Sequence, residues 1–165
     1  MWVSQYSIGV DLGGTNLRAA AVDENGVILE QLACGTNPEL GREHVLGAIV
    51  DAIQDLQGRH TDRQLAGVGI GVPGFILIEE GIVLNSNNLP FLEGFPLRDE
   101  FIKRLEAPVI LENDANSAAL GEMWIGAGAG VKDLAIGRQV QIGQPSALVT
   151  GVIQNAIVQI RTREQ

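Results

Sequence analysis

Three apolar runs, separated by short glycine-containing segments, open the chain. They span residues 6–11, 17–22 and 27–33. Gly13-Gly14 separates the first two runs, and Glu24-Asn25-Gly26 separates the second from the third. Because links of this kind join the neighbouring strands of hairpins, the pattern predicts three consecutive antiparallel strands.

The spacing of apolar residues then changes to that of a helix. They recur every three or four residues, at Val45, Leu46, Ile49, Ala52, Ile53 and Leu56. Asn37-Pro38-Glu39 supplies a capping amide, a proline suited to the first turn and an acid near the positive end of the helix. Gly58 is expected to end this helix.

The next part of the chain alternates between short apolar runs and helical patterns. Strands are expected at 65–72, 82–84 and 109–111. A helix that starts near Pro96 should stop before Pro108, and a third helix, rich in alanine, should run from Asp114 to Trp124. Three antiparallel strands followed by alternating helices and strands predict an α/β fold with a mixed central sheet.

The composition favours a single cytoplasmic domain that folds without metal or disulfide. The length of 165 residues suits one domain, and 45% of them are hydrophobic. With Cys34 as the single cysteine and two histidines, neither an internal disulfide nor a structural zinc site is expected. A net charge of −9 without a Lys/Arg cluster opposes binding to nucleic acid or to an anionic membrane, and residues 1–7 lack the features of a secretory signal.

The segment Asp11-Leu12-Gly13-Gly14-Thr15-Asn16 has the composition of a phosphate-binding turn. Its glycine pair allows positive φ and a close approach of the backbone to a ligand. Thr15 and Asn16 add hydroxyl and amide donors beside backbone N–H groups, a combination that suits phosphate. Gly-Gly between two apolar runs is also an ordinary hairpin turn, so the segment alone leaves both interpretations open.

Three later segments carry polar groups that suit a small polar ligand. Residues 71–74 form a glycine and proline bend after a strand, which is either a pocket wall or a simple turn. Residues 85–90 are rich in asparagine, whose amide both donates and accepts hydrogen bonds, as sugar hydroxyls require. At the start of the third helix, Asp114 is either a capping acid or a general base, with Asn113 positioning the substrate.

Together these segments resemble the N-terminal domain of the ROK family (repressor, open reading frame, kinase). The resemblance rests on four motifs in matching order and spacing between about residues 7 and 135, namely Asp11-Leu12-Gly13-Gly14-Thr15-Asn16, Gly71-Val72-Pro73-Gly74, Asn88-Leu89-Pro90, and Glu112-Asn113-Asp114-Ala115-Asn116 with Ala118-Ala119-Leu120-Gly121-Glu122. It implies a ribonuclease H-like, actin-like ATPase fold. It also implies transfer of the γ-phosphoryl group of ATP to a hexose hydroxyl, with glucose as the expected sugar.

The resemblance further implies roles for individual residues. Asp114 would be the catalytic base, and Asp11 would lie at a Mg²⁺ ion. The residues implied to face the phosphates of ATP are Asp11, Gly13, Gly14, Thr15 and Asn16. The residues implied to surround the sugar are Pro73, Gly74, Asn88 and Asn113. The expected partners are therefore ATP, Mg²⁺ and a hexose.

The chain changes character after residue 135. The second glycine-rich phosphate turn expected of the family is missing from 136–145. We therefore expect residues 1–135 to form the ROK-type domain and residues 136–165 to form a tail without family resemblance. Apolar positions in 146–161 can form an amphipathic helix, although their β-branched residues also suit strands. Such a helix could cover the first domain or pair two copies of the chain as a homodimer.

Two functions fit these motifs. The first is a glucokinase-type sugar kinase, represented by its N-terminal half. The second is a noncatalytic sugar-binding or regulatory remnant, which the missing second phosphate turn favours for this chain. A repressor of the same family would carry an N-terminal helix-turn-helix, whereas the first strand here begins near Tyr6, so that function is not expected.

Overall fold

Five strands form the central sheet of the computed structural model, which describes residues 4–125. In chain order the strands of these residues are β1 (Gln5–Leu12), β2 (Asn16–Asp23), β3 (Ile28–Gly35), β4 (Gln64–Val72), β5 (Phe75–Leu77), β6 (Ile82–Asn85) and β7 (Val109–Asn113). The central sheet has the order β3-β2-β1-β4-β7, whereas β5 and β6 pair in a separate two-stranded sheet.

The central sheet mixes antiparallel and parallel strands. β1 and β3 run antiparallel to β2, whereas β1, β4 and β7 run parallel to one another. Asp11 lies opposite Gly71, and Gly71 lies opposite Glu112, so the three parallel strands end at one edge of the sheet. This is the edge at which open α/β sheets usually bind ligands. The predicted α/β fold with a mixed sheet is confirmed.

Three α-helices of the described residues pack on the two faces of this sheet. They are α1 (Arg42–Arg59), α2 (Leu97–Leu105) and α3 (Asp114–Ile125). Ala19 and Ala21 of β2 belong to the main apolar core, whereas Ala20 and Val22 form a second cluster against Trp124 of α3. The main core also contains the buried residues of α1 and α2, which are Val45, Leu46, Ile49, Ile53, Leu56, Leu97, Phe101 and Leu105. Burial on both faces explains why residues 19–22 of β2 are all apolar.

The β5–β6 hairpin is held by polar contacts with α2. Nη1 of Arg98 donates to the carbonyl oxygens of Ile78 and Glu79 at 3.0 and 2.9 Å. The backbone N–H of Arg98 donates to the carbonyl of Gly81 at 3.1 Å. β5 was not predicted from the sequence, because it is only three residues long and directly follows a proline-glycine bend; its apolar residues are mostly exposed, with Phe75 at 75%.

The sequence prediction was wrong at both ends of α1. Asn37 adopts a left-handed backbone conformation (φ 48°), and its side chain makes no capping hydrogen bond. Pro38–Leu40 form a single 3-10 turn, and α1 begins only after it. Gly58 lies inside the helix, because a glycine ends a helix when it adopts positive φ and Gly58 does not. The last turn continues to Arg59, which donates to the carboxylate of Asp55 at 3.0 and 2.7 Å.

The predicted tail at 136–165, with its amphipathic helix at 146–161, lies outside the described residues. Within residues 4–125, no helix combines the length and the apolar character needed to cross a membrane.

Candidate active site

A three-residue turn joins β1 to β2 and contains the predicted phosphate-binding residues. The N–H of Gly13 donates to the carbonyl of Asn16 at 2.8 Å and closes the turn. Within residues 4–125, the N–H groups of Gly14 and Thr15 donate to no backbone acceptor. Thr15 and Asn16 are exposed, and the Asn16 side chain donates to Oγ1 of Thr15 at 3.2 Å. The turn therefore has backbone donors and polar side chains available for a phosphate.

The two glycines of this turn allow close packing. Neither Gly13 nor Gly14 uses the positive φ that a glycine allows. A Cβ on Gly13 would lie 2.9 Å from the carbonyl oxygen of Asn16, closer than Cβ atoms come in proteins. A Cβ on Gly14 would lie 3.5 Å from the Cβ of Asn88, in ordinary van der Waals contact. Asn88, a predicted sugar-binding residue, therefore lies near Gly14, with room for one added carbon between them.

Thr36, just after β3, donates two hydrogen bonds to the turn. It is 1% exposed, and its hydroxyl donates to the carbonyl of Gly13 at 2.9 Å. Its N–H donates to the carbonyl of Thr15 at 3.0 Å, so the two bonds lie on either side of Gly14. Thr36 was not predicted from the sequence. Because β2 pairs with β3 so that Asn16 lies opposite Gly35, the next residue, Thr36, lies beside the turn.

Asp11 lies near the end of β1 and is 4% exposed. Its Oδ2 lies 3.8 Å from Nη1 of Arg18, which faces it across the β1–β2 pair. A negative and a partly exposed positive side chain therefore lie beside the phosphate turn. Arg18 was missed in the sequence, although a hairpin turning at Gly13-Gly14 places it opposite Asp11.

Pro73 and Gly74 follow β4 in a bend that three contacts fix. Gly74 has φ 125°, and a Cβ on it would lie 2.0 Å from the carbonyl oxygen of Asn85, so only glycine fits. The hydroxyl of Ser86 donates to the carbonyl of Pro73 at 2.6 Å. Nδ2 of Asn113 donates to the carbonyl of Gly74 at 2.7 Å. Ser86 is fully buried, and its role was not predicted from the sequence.

Asn113 is the residue that caps α3. Its Oδ1 accepts hydrogen bonds from the N–H groups of Ala115 and Asn116 at 2.9 and 3.1 Å, as an N-cap residue does. Asp114 is the first residue of α3 and half-buried, and its Oδ1 accepts from the N–H of Ala115 at 2.9 Å. A carboxylate at this end of a helix is stabilised by the helix dipole. Asn113 therefore supplies the N-cap, and Asp114 shares the N–H of Ala115 with it.

The four sequence motifs meet at the carboxyl edge of the sheet. β1, β4 and β7 end there side by side. Asn113, at the end of β7, contacts the bend after β4 through Gly74. Asn88 lies near Gly14, which follows β1, because a Cβ built on Gly14 would lie 3.5 Å from the Cβ of Asn88. The predicted phosphate turn and the predicted sugar loop are therefore neighbours.

The donor set at this edge fits a magnesium ion that is shared with phosphate. Across residues 4–125, no three His, Cys, Asp or Glu side chains are grouped to hold a metal ion by themselves. Asp11 offers one carboxylate beside the phosphate turn. Mg²⁺ commonly binds one or two carboxylates together with substrate phosphates and water, so Asp11 suits it when a nucleotide is present.

The groups with clearly displaced pKa values lie outside the four motifs. Burial raises the pKa of Tyr6, and the charge of Asp62 raises it further. The ring of Tyr6 packs against that of His60, with 5.4 Å between centroids, where β1 begins. Burial also raises the pKa of the Cys34 thiol, which makes it a poorer nucleophile near neutral pH.

Comparison with known proteins places these motifs in a family. The sequence model of the ROK family matches residues 7–159. The glucokinase of Halalkalibacterium halodurans is 39% identical over 132 residues, which are 79% of this chain and 40% of the relative. The glucokinase of Thermotoga maritima is 45% identical over 123 residues, 74% of this chain and 38% of the relative. A crystal structure of a ROK family glucokinase from Streptomyces griseus with glucose and AMPPNP aligns with a TM-score of 0.69 at 37% identity, covering 78% of this chain and 39% of that one.

The chain spans about two fifths of the length of the curated relatives that it matches. The family match extends beyond residue 135, where the resemblance was expected to end. The predicted domain boundary at that residue stays a prediction, because residues 126–165 are not described. The structural match confirms the expected actin-like ATPase fold. With the family match covering most of its length and four motifs meeting at one edge of the sheet, the chain belongs to the ROK family.

Proposed function

We propose that the chain supplies the nucleotide- and sugar-binding part of an ATP-dependent glucokinase. The observation that carries the proposal is the proximity of Gly14 in the phosphate turn to Asn88 in the amide-rich loop: a Cβ built on Gly14 would lie 3.5 Å from the Cβ of Asn88. A sugar kinase must hold the γ-phosphoryl group of ATP beside the hydroxyl that accepts it. The relatives named glucokinase, and the Streptomyces griseus structure with glucose and AMPPNP, support this choice of substrates.

The nucleotide side is the turn between β1 and β2. Gly13 keeps the turn closed, and the N–H groups of Gly14 and Thr15 would bind phosphate oxygens together with the side chains of Thr15 and Asn16. Asp11 would hold Mg²⁺, which, when bound, offsets the negative charge of the phosphates.

The sugar side combines an exposed amide with a fixed backbone bend. Asn88 is exposed, and its amide can both donate to and accept from sugar hydroxyls. Pro73 and Gly74 would border the sugar through their backbone. Asn113 uses its amide nitrogen on the Gly74 carbonyl and its amide oxygen on α3. Its contribution would therefore be to hold the bend and the start of α3 in a fixed relation.

Asp114 would act as the general base. Its carboxylate lies at the start of α3, beside the residue that contacts the bend. It would accept the proton of the attacking sugar hydroxyl. The hydroxyl oxygen then forms a bond to the γ-phosphorus, and the bond from that phosphorus to the leaving oxygen of ADP breaks. In such transfers, positioning and charge stabilisation supply most of the catalysis.

Measuring ADP release by the purified chain with magnesium and ATP tests the proposal. The assay is run without sugar and with glucose, mannose, fructose, N-acetylglucosamine or N-acetylmannosamine. We expect glucose to raise the rate most above the sugar-free background. Equal rates with and without sugar, from a chain that circular dichroism shows to be folded, would contradict the proposed kinase activity. Glucose binding without turnover would instead support the noncatalytic sugar-binding alternative.

A further inference from the structure

We infer that two buried hydroxyl groups, those of Thr36 and Ser86, are positioning residues that each serve one substrate. Thr36 serves nucleotide binding, and Ser86 serves sugar binding. The inference rests on the proposed function, which assigns the nucleotide to the turn between β1 and β2 and the sugar to the bend after β4. Neither residue belongs to the set predicted to contact a ligand, and both are buried where solvent cannot replace their hydroxyls.

Thr36 sets the direction of the backbone donor at the centre of the phosphate turn. Its hydroxyl donates to the carbonyl of Gly13 at 2.9 Å. That carbonyl and the N–H of Gly14 belong to one planar peptide group, so fixing the carbonyl also fixes the direction in which the N–H points. The N–H of Thr36 binds the carbonyl of Thr15 at 3.0 Å, which fixes the peptide group between Thr15 and Asn16. A phosphate bound by the N–H of Gly14 would depend on the first of these orientations.

Ser86 fixes the direction of a backbone N–H in the bend after β4. Its hydroxyl donates to the carbonyl of Pro73 at 2.6 Å, and that carbonyl shares a planar peptide group with the N–H of Gly74. Ser86 is itself held in place, because its N–H donates to Oε1 of Glu93 at 3.0 Å. Asn113 fixes the next peptide group through the carbonyl of Gly74. Two consecutive peptide groups of the bend are therefore fixed, one of them by Ser86.

The two hydroxyls act on separate segments. Thr36 approaches the turn from the end of β3, whereas Ser86 approaches the bend from the loop after β6. Their acceptors, the carbonyls of Gly13 and Pro73, follow different strands. Loss of one hydroxyl should therefore weaken one ligand and spare the other, whereas a purely structural role would weaken both.

The test measures the equilibrium binding of two probes, magnesium with AMPPNP and glucose, to the full chain of 165 residues by titration calorimetry. Thr36→Val removes the hydroxyl and keeps the shape, whereas Thr36→Ser keeps the hydroxyl. We expect Thr36→Val to weaken AMPPNP about tenfold, the effect of roughly one buried hydrogen bond, and to leave glucose binding close to wild type. Ser86→Ala should weaken glucose binding about tenfold and leave AMPPNP binding close to wild type. Thr36→Ser should resemble wild type toward both probes.

Each variant is thus the control for the other. Unchanged binding of both probes, or an equal loss of both in either variant, would overturn the inference while leaving the proposed function in place. A folded wild-type chain that binds neither probe would overturn the proposed function, and the inference with it. Should a variant fail to fold, Thr36→Cys and Ser86→Cys, which fill similar space with a weaker donor, give the same comparison.

Discussion

Gly74 is a residue whose conformation and neighbour both exclude a side chain. Its φ is 125°, and a Cβ would lie 2.0 Å from the carbonyl oxygen of Asn85. We expect Gly74→Ala to lower the free energy of unfolding by about 3 kcal/mol or more, because backbone strain and overpacking add. Gly94→Ala is the control: Gly94 also has positive φ (70°) but nothing lies within 4 Å of its Cβ position, so about 1 kcal/mol is expected. If urea unfolding showed that both variants lose the same free energy of unfolding, this steric explanation would be contradicted.

Asn88 carries the exposed amide of the proposed sugar site. Its side chain is available to a ligand, and it lies beside Gly14 of the phosphate turn. We expect Asn88→Ala to weaken glucose binding by about tenfold, because hydrogen bonds to the sugar are lost, and to leave the free energy of unfolding nearly unchanged. Asn87→Ala is the matched control, because Asn87 is also an exposed asparagine and directly precedes Asn88. Titration calorimetry that found equal affinities in the two variants would rule out this role.

At the scale of single residues, the sequence indicated the groups that we propose to face a ligand, but not the groups that fix the backbone. Asp11, Asn88 and Asp114 stand in recognisable motifs. Thr36 and Ser86 were missed because their partners are carbonyl groups of distant segments. A threonine or serine in a loop carries no local sign of such a partner, so only the folded chain reveals it.

Asn113 connects two elements, the start of α3 and the bend after β4. Asn113→Ala loses both the cap and the hydrogen bond to Gly74, so we expect the free energy of unfolding to fall by about 2 kcal/mol. Asn113→Asp keeps a capping oxygen but cannot donate to Gly74, so the expected loss is about 1 kcal/mol. Chemical denaturation of the two variants measures the difference. If the aspartate variant lost as much as the alanine variant, the capping role of Oδ1 would be refuted.

An ion-pair network joins α1 to α2 and makes the stability of that contact depend on pH. Arg104 donates to Glu100 and to Glu43, both at 2.7 Å, and its hydrogen bond lowers the pKa of the Glu100 carboxyl. A carboxyl whose pKa is lower in the folded chain adds stability above its unfolded pKa. This stability is lost as the pH falls through the folded pKa.

We therefore expect the midpoint of thermal unfolding to fall less in Glu100→Gln than in wild type when the pH is lowered from about 6 to about 3. The difference should be small, because ion pairs at the surface are screened by solvent. The measurement is differential scanning calorimetry across this pH range. An identical acid response in both proteins would show that Glu100 contributes nothing to it.

At the scale of elements, periodicity predicted the buried strands and helices but not their exact ends. β2 and α1 were found because their apolar spacing reflects burial. The start of α1 was wrong because it depends on the left-handed conformation of Asn37, which competes with its use as a helix cap. β5 was missed although Phe75, Ile76 and Leu77 are all apolar, because three residues directly after the Pro73-Gly74 bend are too short a run to indicate a strand.

At the scale of the whole molecule, the site forms because β1, β4 and β7 end side by side. The sequence already placed a motif after each of these strands, which is enough to bring the motifs to one edge of a parallel sheet. The proximity of Asn88 to Gly14 could not be predicted. Asn88 follows the β5–β6 hairpin, and the path of that segment depends on hydrogen bonds from Arg98 and Ser86.

Glucose-dependent ADP release by Asp114→Asn, compared with wild type, is the most direct test that the phosphate turn and the sugar loop form one phosphotransfer site. Asparagine keeps the size of the side chain and removes the base. We predict a fall in rate of about 100-fold or more, with glucose affinity and the free energy of unfolding close to wild type. A wild-type rate in Asp114→Asn would contradict the assignment of the base. A wild-type chain that binds both glucose and AMPPNP but releases no ADP would contradict the site itself.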